Sequence, residues 1–425
     1  MKFSRFGDKF AGTSLGSEGD AGIVSLMADL GDALRVNPEM IFMGGGNPSR
    51  IPEVESVLRQ QLQTLIDDKE ACHKMLGVYQ SPQGDEELLE QLALLLREEF
   101  DWPISEKNIA ISNGSQSAFF VLFNLFSGVD SDGRKRKIQL PLAPEYLGYA
   151  DLGLEDDMFA ATQPNIELLD DNLFKYRVDF DALNIDDSCG ALCVSRPTNP
   201  TGNVLTDEEM HHLDSLARKA GIPLIIDGAY GTPFPNIIFT EAEPLWNDNT
   251  IMVLSLSKLG LPGVRTGIVI ASEEVISAFA SANTILSLAC GNVGPALASG
   301  LCRDKSLLKI SRQYIKPFYQ VKAELALGLF RRYLGDLPWR IHKPEGAIFL
   351  WLWFEGLPID SEQLYQRLKS RGVLVVSGHH FFPGLNDPDW RHSRECIRVT
   401  YSQDAETIER GVAIIADEVK KAYGE

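Results

Sequence analysis

The chain has 425 residues, of which 44% are hydrophobic and 23% are charged, and it carries a formal net charge of −19. The composition is typical of a globular enzyme, the length indicates two units that share a cleft, and the acidic balance argues against a nucleic-acid-binding surface. No signal-peptide core begins the chain and its apolar runs have strand length, so we expect no membrane segment. The six cysteines form no Cys-x-x-Cys pair, and we expect reduced thiols in a cytoplasmic protein.

The first two thirds of the chain alternate between short apolar strands and helices. Residues 1–49 are rich in glycine and end in a loop at 44–48. The predicted helices are 52–70, 84–99, 115–126 and 207–220, the last with Thr206 as its N-cap. The predicted strands are 108–112, 136–140, 191–195, 223–227 and 251–254. Short buried strands separated by helices imply an α/β fold with a mostly parallel sheet covered by helices on both faces.

The last part of the chain has α+β character. The pattern predicts one long helix or two over 304–334, a strand at 347–354, a helix at 361–371, a strand at 373–376 and a terminal helix at 407–423. We therefore expect a large domain over 50–325 and a smaller C-terminal domain over 326–425. Residues 1–49 are expected to form an arm and part of the small domain.

Lys258 is the most informative residue. It follows the apolar strand at 251–254, with Ser255 and Ser257 beside it and Arg265 seven positions further on. Desolvation lowers the pKa of a lysine, which makes its amine suitable for Schiff-base chemistry. The nearby hydroxyls, arginine and glycines are the groups needed to hold a phosphate beside an imine. A surface lysine in a strand-to-helix loop is the alternative interpretation.

Other polar residues also follow predicted strands, at the edge where parallel sheets bind ligands. Ser115 and Gln116 begin a helix whose backbone N–H groups form an anion site. Asp227 ends a strand, where a carboxylate would keep a pyridine nitrogen protonated, and Tyr230 would donate a hydrogen bond to a ring oxygen. The alternatives are a plain helix cap at Ser115 and Gln116, a loop cap at Asp227 and core packing at Tyr230.

Four residues are weaker candidates when each is taken alone. Asn199 presents an amide from a rigid Asn-Pro-Thr-Gly loop, and Tyr146 offers an aromatic face for stacking. Arg398, in an alternating strand, suits bidentate binding of a carboxylate, and Tyr79 precedes a tight turn. The alternatives are that Asn199 is only a turn residue, Tyr146 a core aromatic, Arg398 a solvent-facing arginine and Tyr79 a loop tyrosine. Adjacent histidines, as at 379 and 380, are expected to point to different sides, and no metal site is predicted.

Together these residues resemble the class I and II aminotransferases, which depend on pyridoxal 5'-phosphate (PLP) and have fold type I. The resemblance covers essentially the whole chain, and several motifs that match in order are more specific than any one of them. The matching residues are, in chain order, Tyr79, Ser115, Gln116, Tyr146, Asn199, Asp227, Tyr230, Ser255, Lys258, Arg265 and Arg398.

The resemblance implies PLP as the cofactor, with Lys258 as the amine that binds it covalently and Asp227 as the partner of its pyridine nitrogen. The other cofactor contacts would be the phosphate ligands Ser115, Gln116, Ser255 and Arg265, the stacking ring of Tyr146, and the ring-oxygen ligands Asn199 and Tyr230.

The resemblance also implies how the substrates bind. Arg398 would clamp the α-carboxylate of an amino acid or 2-oxo acid, with Gly46 and Asn199 beside it, and Lys258 would act as the base. Tyr79 would reach the phosphate in a neighbouring subunit, which implies a homodimer with shared active sites. Gly228 departs from the family, because many members carry asparagine at that position, but no catalytic group is lost.

Further segments, including 3–10, 43–48, 113–120 and 342–354, resemble family members that exchange an amino group between L-valine and pyruvate. This implies ping-pong conversion to 2-oxoisovalerate and L-alanine. No residue is assigned to the side-chain pocket, although residues 21–27 are expected to close over the substrate. The alternatives are an aminotransferase of other specificity, a PLP-dependent lyase, and a PLP-sensing transcriptional regulator; the last is disfavoured by the acidic charge.

Overall fold

The fold is given by a computed structural model, which describes residues 23–385 and 387–424, with side chains from residue 27 onward. Residues 3–10, which carry part of the resemblance, and residues 21 and 22 lie outside the described residues. Within the described part of the chain, no helix is both long enough and apolar enough to cross a bilayer.

Helices and strands alternate along the chain. The helices are α1 (Ile23–Val36), α2 (Pro52–Asp67), α3 (Lys69–Gly77), α4 (Glu86–Phe100), α5 (Ser115–Phe126), α6 (Asp207–Ala220), α7 (Glu273–Ser287), α8 (Val293–Arg303), α9 (Ser306–Ile310), α10 (Lys316–Leu334), α11 (Ser361–Ser370) and α12 (Ala405–Tyr423). The strands are β1 (Ile41–Phe42), β2 (Ile109–Ser112), β3 (Gly128–Val129), β4 (Lys135–Leu140), β5 (Phe159–Ala161), β6 (Asn165–Leu168), β7 (Leu173–Arg177), β8 (Cys189–Ser195), β9 (Leu224–Asp227), β10 (Thr250–Ser255), β11 (Gly267–Ile270), β12 (Trp339–His342), β13 (Phe349–Phe354), β14 (Val373–Leu374), β15 (Val376–Ser377) and β16 (Cys396–Thr400).

The larger sheet has the strand order β2-β11-β10-β9-β8-β4-β3, and β5 also pairs with β4. Its central strands β10, β9, β8 and β4 are parallel, whereas β11 runs antiparallel between β10 and β2. The predicted mostly parallel sheet is therefore confirmed. Because parallel strands end at the same edge, Ser195, Asp227 and Ser255 come together where β8, β9 and β10 end.

Helices cover both faces of this sheet, as predicted. Successive side chains of a strand point to opposite faces, so β9 contributes to two separate cores. Ile225 packs in the core that contains Phe119 of α5. Its neighbours Leu224 and Ile226 pack instead with Leu213 of α6.

The smaller sheet has the order β15-β16-β13-β12-β7-β6. Strands β6 and β7 were not predicted, and they reach this sheet from a distant part of the chain through the parallel pairing of β7 with β12. A separate pair, β1 with β14, joins the segment before residue 49 to the C-terminal part. The division into domains stays a prediction.

Two predicted helices are interrupted, each for a local reason. The helix expected over 52–70 ends at Asp67, because Asp68 is extended and its carboxylate caps α3 by accepting from the backbone N–H groups of Glu70 and Ala71. Of the one or two helices expected over 304–334, the structure has two, α9 and α10, joined by a wide π turn at Ser311–Ile315. Pro317 follows this turn, and a proline has no N–H to continue a regular ladder.

Candidate active site

A cavity of about 450 Å³ lies at the carboxyl ends of β8, β9 and β10. Eleven of the twelve predicted site residues line it: Gly46, Ser115, Gln116, Tyr146, Asn199, Asp227, Tyr230, Ser255, Lys258, Arg265 and Arg398. Tyr79 lies elsewhere, with 81% of its surface exposed. Among the described residues that line the cavity, three are lysine or arginine and one is a carboxylate, so the cavity is suited to a ligand with more than one anionic group.

Lys258 projects into this cavity from a short 3-10 turn immediately after β10. Its Nζ donates a hydrogen bond to the backbone oxygen of Gly46 and lies 5.3 Å from the ring centroid of Tyr230. Burial, reinforced by the charges of Arg398 and Arg265, lowers the pKa of Lys258 to about 8. A much larger fraction of this amine than of an ordinary lysine is therefore uncharged, and nucleophilic, near neutral pH.

Asp227 is the carboxylate at the bottom of the cavity. Its Oδ2 accepts a hydrogen bond of 2.7 Å from the hydroxyl of Tyr149, and its Oδ1 accepts one of 2.9 Å from the backbone N–H of Ala229. Burial raises the pKa of Asp227, while the hydrogen bonds and the charge of Lys258 oppose that rise. A cationic group on a ligand would stabilise the ionised form of Asp227 further.

Arg398 is a buried guanidinium on β16, 5% exposed. Its Nη1 donates to Oδ1 of Asn199 at 2.8 Å and its Nη2 donates to the backbone oxygen of Gly44 at 2.7 Å. Among the described residues its Nε has no hydrogen-bond partner, and both oxygen partners of its other nitrogens are neutral. A buried arginine without a carboxylate partner is suited to bind one from a ligand.

Aromatic rings hold Arg398 in place. Its guanidinium carbon lies 4.2 Å from the ring centroid of Phe349 and 5.0 Å from that of Phe381. These cation–π contacts fix the plane of the guanidinium without neutralising its charge. Burial lowers the pKa of Arg398 to about 10, so the group is still a cation at neutral pH.

Arg265 lies next to the N-terminus of α5, at the other end of the cavity. Its Nη1 donates to the Ser257 hydroxyl at 3.3 Å and to the backbone oxygen of Pro262 at 3.2 Å. Gly114, the N-cap of α5, has a φ of +93°, and a Cβ there would lie 2.1 Å from Nη2 of Arg265. The first N–H groups of a helix have no acceptor within it, so this corner combines backbone donors, hydroxyls and a cation as a phosphate site does.

The remaining predicted residues occupy the walls between these groups. The Gln116 side chain donates to the backbone oxygen of Gly148 at 2.9 Å, which leaves its backbone N–H as the group able to contact an anion. Ser255 accepts from the backbone N–H of Ser257 at 3.1 Å. The hydroxyl of Tyr230 is deeply buried, and this burial raises its pKa.

The sequence analysis missed several residues of the site. Tyr149 and Glu145 flank the predicted Tyr146, and both belong to the buried hydrogen-bonded group around Asp227. Ser257 was noted in the sequence as a hydroxyl beside Lys258 but was given no role, and in the structure it contacts Arg265. The spacing Tyr146-x-x-Tyr149 was visible in the sequence, but nothing local indicated which of the two rings faces the cavity.

One wall of the cavity is apolar. This apolar part of the lining, called here the apolar wall, is made of Leu147, Val376, Phe349, and Met27 and Leu30 of α1, although their positions relative to one another are set by four different segments. The segment expected to close over the substrate was 21–27. Its residues 23–27 begin helix α1, and Met27 lines the cavity.

The carboxyl and imidazole groups of Glu362, His379 and His380 form a cluster apart from this cavity, with possible ligand atoms within 4.8 Å of one another. The rings of the two histidines lie 3.9 Å apart, measured between centroids. The expectation that adjacent histidines point to different sides is wrong here, because a 3-10 turn at Gly378–Phe381 replaces a regular helix or strand.

Comparison with known proteins gives a consistent result. Residues 159–415 match the family aminotransferase class I and II. Over 425 residues, 100% of both chains, the sequence is 53% identical to the valine–pyruvate aminotransferase of Escherichia coli strain K12.

Two solved structures share the fold over nearly their full length. The crystal structure of a putative amino-acid aminotransferase from Psychrobacter arcticum 273-4 superposes with a TM-score of 0.95 at 45% identity, covering 100% of this chain and 99% of that one. The valine–pyruvate aminotransferase from Salmonella typhimurium LT2 superposes with a TM-score of 0.88 at 51% identity, covering 95% of this chain and 100% of that one.

Proposed function

Because the chain belongs to the class I and II aminotransferases, which use PLP, we propose that it exchanges an amino group between L-valine and pyruvate in a ping-pong reaction. The products are 2-oxoisovalerate and L-alanine. The observation that carries the proposal is the buried, carboxylate-free guanidinium of Arg398, which lines the same cavity as Lys258 and Asp227. The 53% identity to the E. coli enzyme supports the choice of valine.

The residues of the cavity fit PLP. Lys258 supplies an amine of lowered pKa, Asp227 a buried carboxylate for the pyridine nitrogen, and Arg265 a cation beside a helix N-terminus for the phosphate. Tyr146 would stack on the ring, and Asn199 and Tyr230 would contact its oxygen. The chemistry that PLP supplies when bound is an electron sink for negative charge at the substrate α-carbon.

Lys258 moves the proton in this proposal. With a pKa of about 8, its Nζ would accept the proton of the substrate Cα and deliver it to the bound cofactor within the same half-reaction, and in the other half-reaction it would carry a proton back from the cofactor to Cα. The backbone oxygen of Gly46 and the ring of Tyr230 hold this amine on one side of the cavity. Asp227, which accepts a hydrogen bond from Tyr149, would hold the cofactor ring nitrogen through its negative charge.

Arg398 orients the substrate. Its Nη1 and Nη2 are fixed by Asn199 and Gly44, and the α-carboxylate completes the partners of the guanidinium. Since every amino-acid and 2-oxo-acid substrate carries this carboxylate, one arginine serves both halves of the reaction. Binding of the α-carboxylate by Arg398 would then place the substrate Cα within reach of Nζ of Lys258.

The apolar wall selects the substrate side chain. Leu30, Leu147 and Val376 offer no charged or hydrogen-bonding group to a side chain that enters their part of the cavity. An isopropyl or methyl group is accommodated there, whereas a second carboxylate would be desolvated without a partner. This wall favours valine and alanine over aspartate and glutamate.

We also propose a homodimer in which Tyr79 of one subunit reaches the cofactor phosphate of the other. Tyr79 is 81% exposed, and the apolar side chains Leu76, Ile285 and Leu288 are exposed as well. Asn292, a few residues after Leu288, donates to the backbone oxygen of Val78 at 2.6 Å and so ties the segment after α7 to the segment that carries Tyr79. Apolar patches of this kind are typical of subunit interfaces.

Mixed dimers test the shared site. Tyr79→Ala and Lys258→Ala protomers are each expected to be weakly active or inactive alone. A mixture that exchanges subunits contains dimers with one intact site, formed by Lys258 of one chain and Tyr79 of the other, so part of the activity should return. A monomer in analytical ultracentrifugation, or no recovery on mixing, would contradict the arrangement.

We place the enzyme in the cytoplasm. All six cysteines are free thiols, and four of them are buried. Unpaired thiols of this kind are common in reducing compartments.

The absorption spectrum of the PLP-loaded protein tests the function. L-Valine and L-alanine should each bleach the yellow absorbance, and pyruvate should restore it. Bleaching by aspartate, glutamate or an aromatic amino acid alone would retain an aminotransferase but discard valine. Release of ammonia without amino transfer would instead indicate a PLP-dependent lyase.

A further inference from the structure

A second carboxyl group lies directly behind Asp227, outside the cavity. Glu145 is fully buried, in the segment after β4. Its Oε1 accepts a hydrogen bond of 2.8 Å from the backbone N–H of Ser195, and its Oε2 lies 2.5 Å from the Ser195 hydroxyl. Ser195 is in turn the strand neighbour of Asp227, because the two are paired in register between β8 and β9.

Glu145 has no cationic partner. Within residues 23–385 and 387–424, no lysine or arginine forms an ion pair with it. The titratable groups that face it are Asp227, Tyr149, Cys193 and Tyr146, of which none is a cation. The backbone N–H of Glu145 donates a hydrogen bond of 2.8 Å to the backbone oxygen of Phe381, in the 3-10 turn at Gly378–Phe381. Besides the Ser195 groups, the backbone N–H of Tyr146 donates to Oε2 at 3.2 Å, but ionised Glu145 would still be a buried charge without a cation, beside a second carboxylate.

The hydroxyl hydrogens near Glu145 can be assigned one by one. The Tyr149 hydroxyl uses its single hydrogen on Oδ2 of Asp227, at 2.7 Å. If the 3.3 Å contact between Tyr149 and Ser195 is a hydrogen bond, Ser195 is its donor. An ionised Glu145 would take the Ser195 hydrogen at 2.5 Å and leave that contact without one, whereas a protonated Glu145 donates to Ser195 and lets both contacts be hydrogen bonds.

We propose that Glu145 is a positioning residue that stays protonated and heads a chain of O–H donors, through Ser195 and Tyr149, that ends at Asp227. The chain makes Asp227 the ionised carboxyl of the pair, because Asp227 receives its last hydrogen bond and faces Lys258. Burial raises the pKa of Glu145 to about 8, in agreement with a neutral acid at physiological pH. The consequence of this donor chain for catalysis rests on the proposed function, in which Asp227 is assigned to the cofactor ring nitrogen.

Infrared difference spectroscopy of the PLP-free protein tests the protonation state without reference to activity. At neutral pH the wild type should show the carbonyl stretch of a buried carboxylic acid, Glu145→Gln should lack it, and the band should disappear only as the pH rises past about 8. A band that Asp227→Asn removes and Glu145→Gln retains would place the proton on Asp227 and overturn the proposal. Absence of any such band at neutral pH would overturn it as well.

Ser195→Ala provides a second variant in case Glu145→Gln does not fold. This variant removes the hydroxyl that would accept the Glu145 proton, but it keeps the backbone N–H that donates to Oε1 of Glu145. Because the carboxylic acid then loses one hydrogen bond, its carbonyl band should persist and move to higher frequency. An unmoved band would mean that Glu145 does not donate to Ser195. If valine transamination fails while these spectra agree with expectation, the proposed function is wrong and the assignment of Glu145 stands.

The loaded enzyme gives an independent readout. Glu145→Gln keeps a neutral donor toward Ser195, so the pH midpoint of the cofactor absorbance should stay within a few tenths of a unit of the wild type. Tyr149→Phe cuts the chain at its last link and should shift that midpoint by more. Equal shifts in both variants would show that Glu145 acts as a charge rather than as a donor.

Discussion

Oδ1 of Asn199 lies 2.8 Å from Nη1 of Arg398, although 199 positions separate the two residues in the chain. Asn199 follows β8 of the larger sheet, and Arg398 belongs to β16 of the smaller one. The contact therefore joins the two sheets at the cavity. It also ties the residue proposed for the cofactor ring oxygen to the residue proposed for the substrate carboxylate.

Replacing Asn199 by alanine should weaken substrate binding. A hydrogen bond to a charged group contributes about 1.5–3 kcal/mol, so kcat/KM for L-valine should fall about 10- to 100-fold, mostly through KM. Steady-state kinetics measure the change. Asn199→Asp retains an acceptor for Arg398 but offers it a negative charge, so this variant should bind the substrate carboxylate no better than the alanine variant. A wild-type KM in both variants would contradict the role of Asn199 in orienting Arg398.

Lys258→Ala should abolish turnover and leave the fold intact. Loss of both the covalent amine and the proton carrier should reduce kcat by more than about 10⁴-fold. Reduction with borohydride followed by mass spectrometry should attach the cofactor to Lys258 in the wild type and to nothing in the variant. Lys135→Ala, at an exposed lysine, is the control. Wild-type turnover by Lys258→Ala would refute the mechanism.

The pH dependence of Lys258 reactivity follows from its pKa. Burial destabilises the cation, so the proton leaves near pH 8 instead of near the ordinary 10.5. In PLP-free protein, the rate of acylation of Lys258 should rise with pH to a midpoint near 8. Arg398→Met removes a positive charge that helps to lower the pKa of Lys258, so the midpoint of this variant should move upward. A midpoint near 10.5 in the wild type would show that the amine is solvated.

Leu30→Ala should change substrate preference. Leu30 is 2% exposed and lines the cavity. Loss of apolar contact should lower kcat/KM for valine about tenfold, while the added space should raise the ratio of leucine to valine turnover. Leu34→Ala, one turn further along α1 and outside the cavity, controls for destabilisation of the helix. The same preference in both variants would remove Leu30 from the side-chain pocket.

Gly114→Ala should damage the phosphate site. The substitution combines a φ of +93° with a Cβ 2.1 Å from Nη2 of Arg265, so the backbone is strained and the arginine displaced. The strain should cost about 1–2 kcal/mol in the free energy of unfolding, and the affinity for PLP should fall as well. Gly133→Ala has a φ of +78° with no atom within 4 Å of the new Cβ, and it should show the strain alone. Equal PLP affinity in the two variants would contradict this account.

Local patterns predicted two helices of the larger sheet's layers most accurately. The helices expected at 115–126 and 207–220 have those bounds, and Thr206 caps the second in a reciprocal pair with Glu209. Strands β6 and β7 were missed; β7 joins the sheet through the distant strand β12, and β6 joins it only through β7. The strand expected over 373–376 is two short strands, since Val373 and Leu374 pair with β1 whereas Val376 and Ser377 pair with β16.

The amino-acid order alone indicated the chemistry of the site, because the lysine, aspartate and asparagine each follow an apolar strand whose end can be recognised locally. The tertiary structure decided which groups meet: Arg398 with Asn199, Tyr149 with Asp227, and Glu145 with Ser195. Periodicity and capping are encoded over a few residues, whereas desolvation depends on atoms from the whole fold. The lowered pKa of Lys258 and the raised pKa of Glu145 both come from that burial, and no window of sequence contains it.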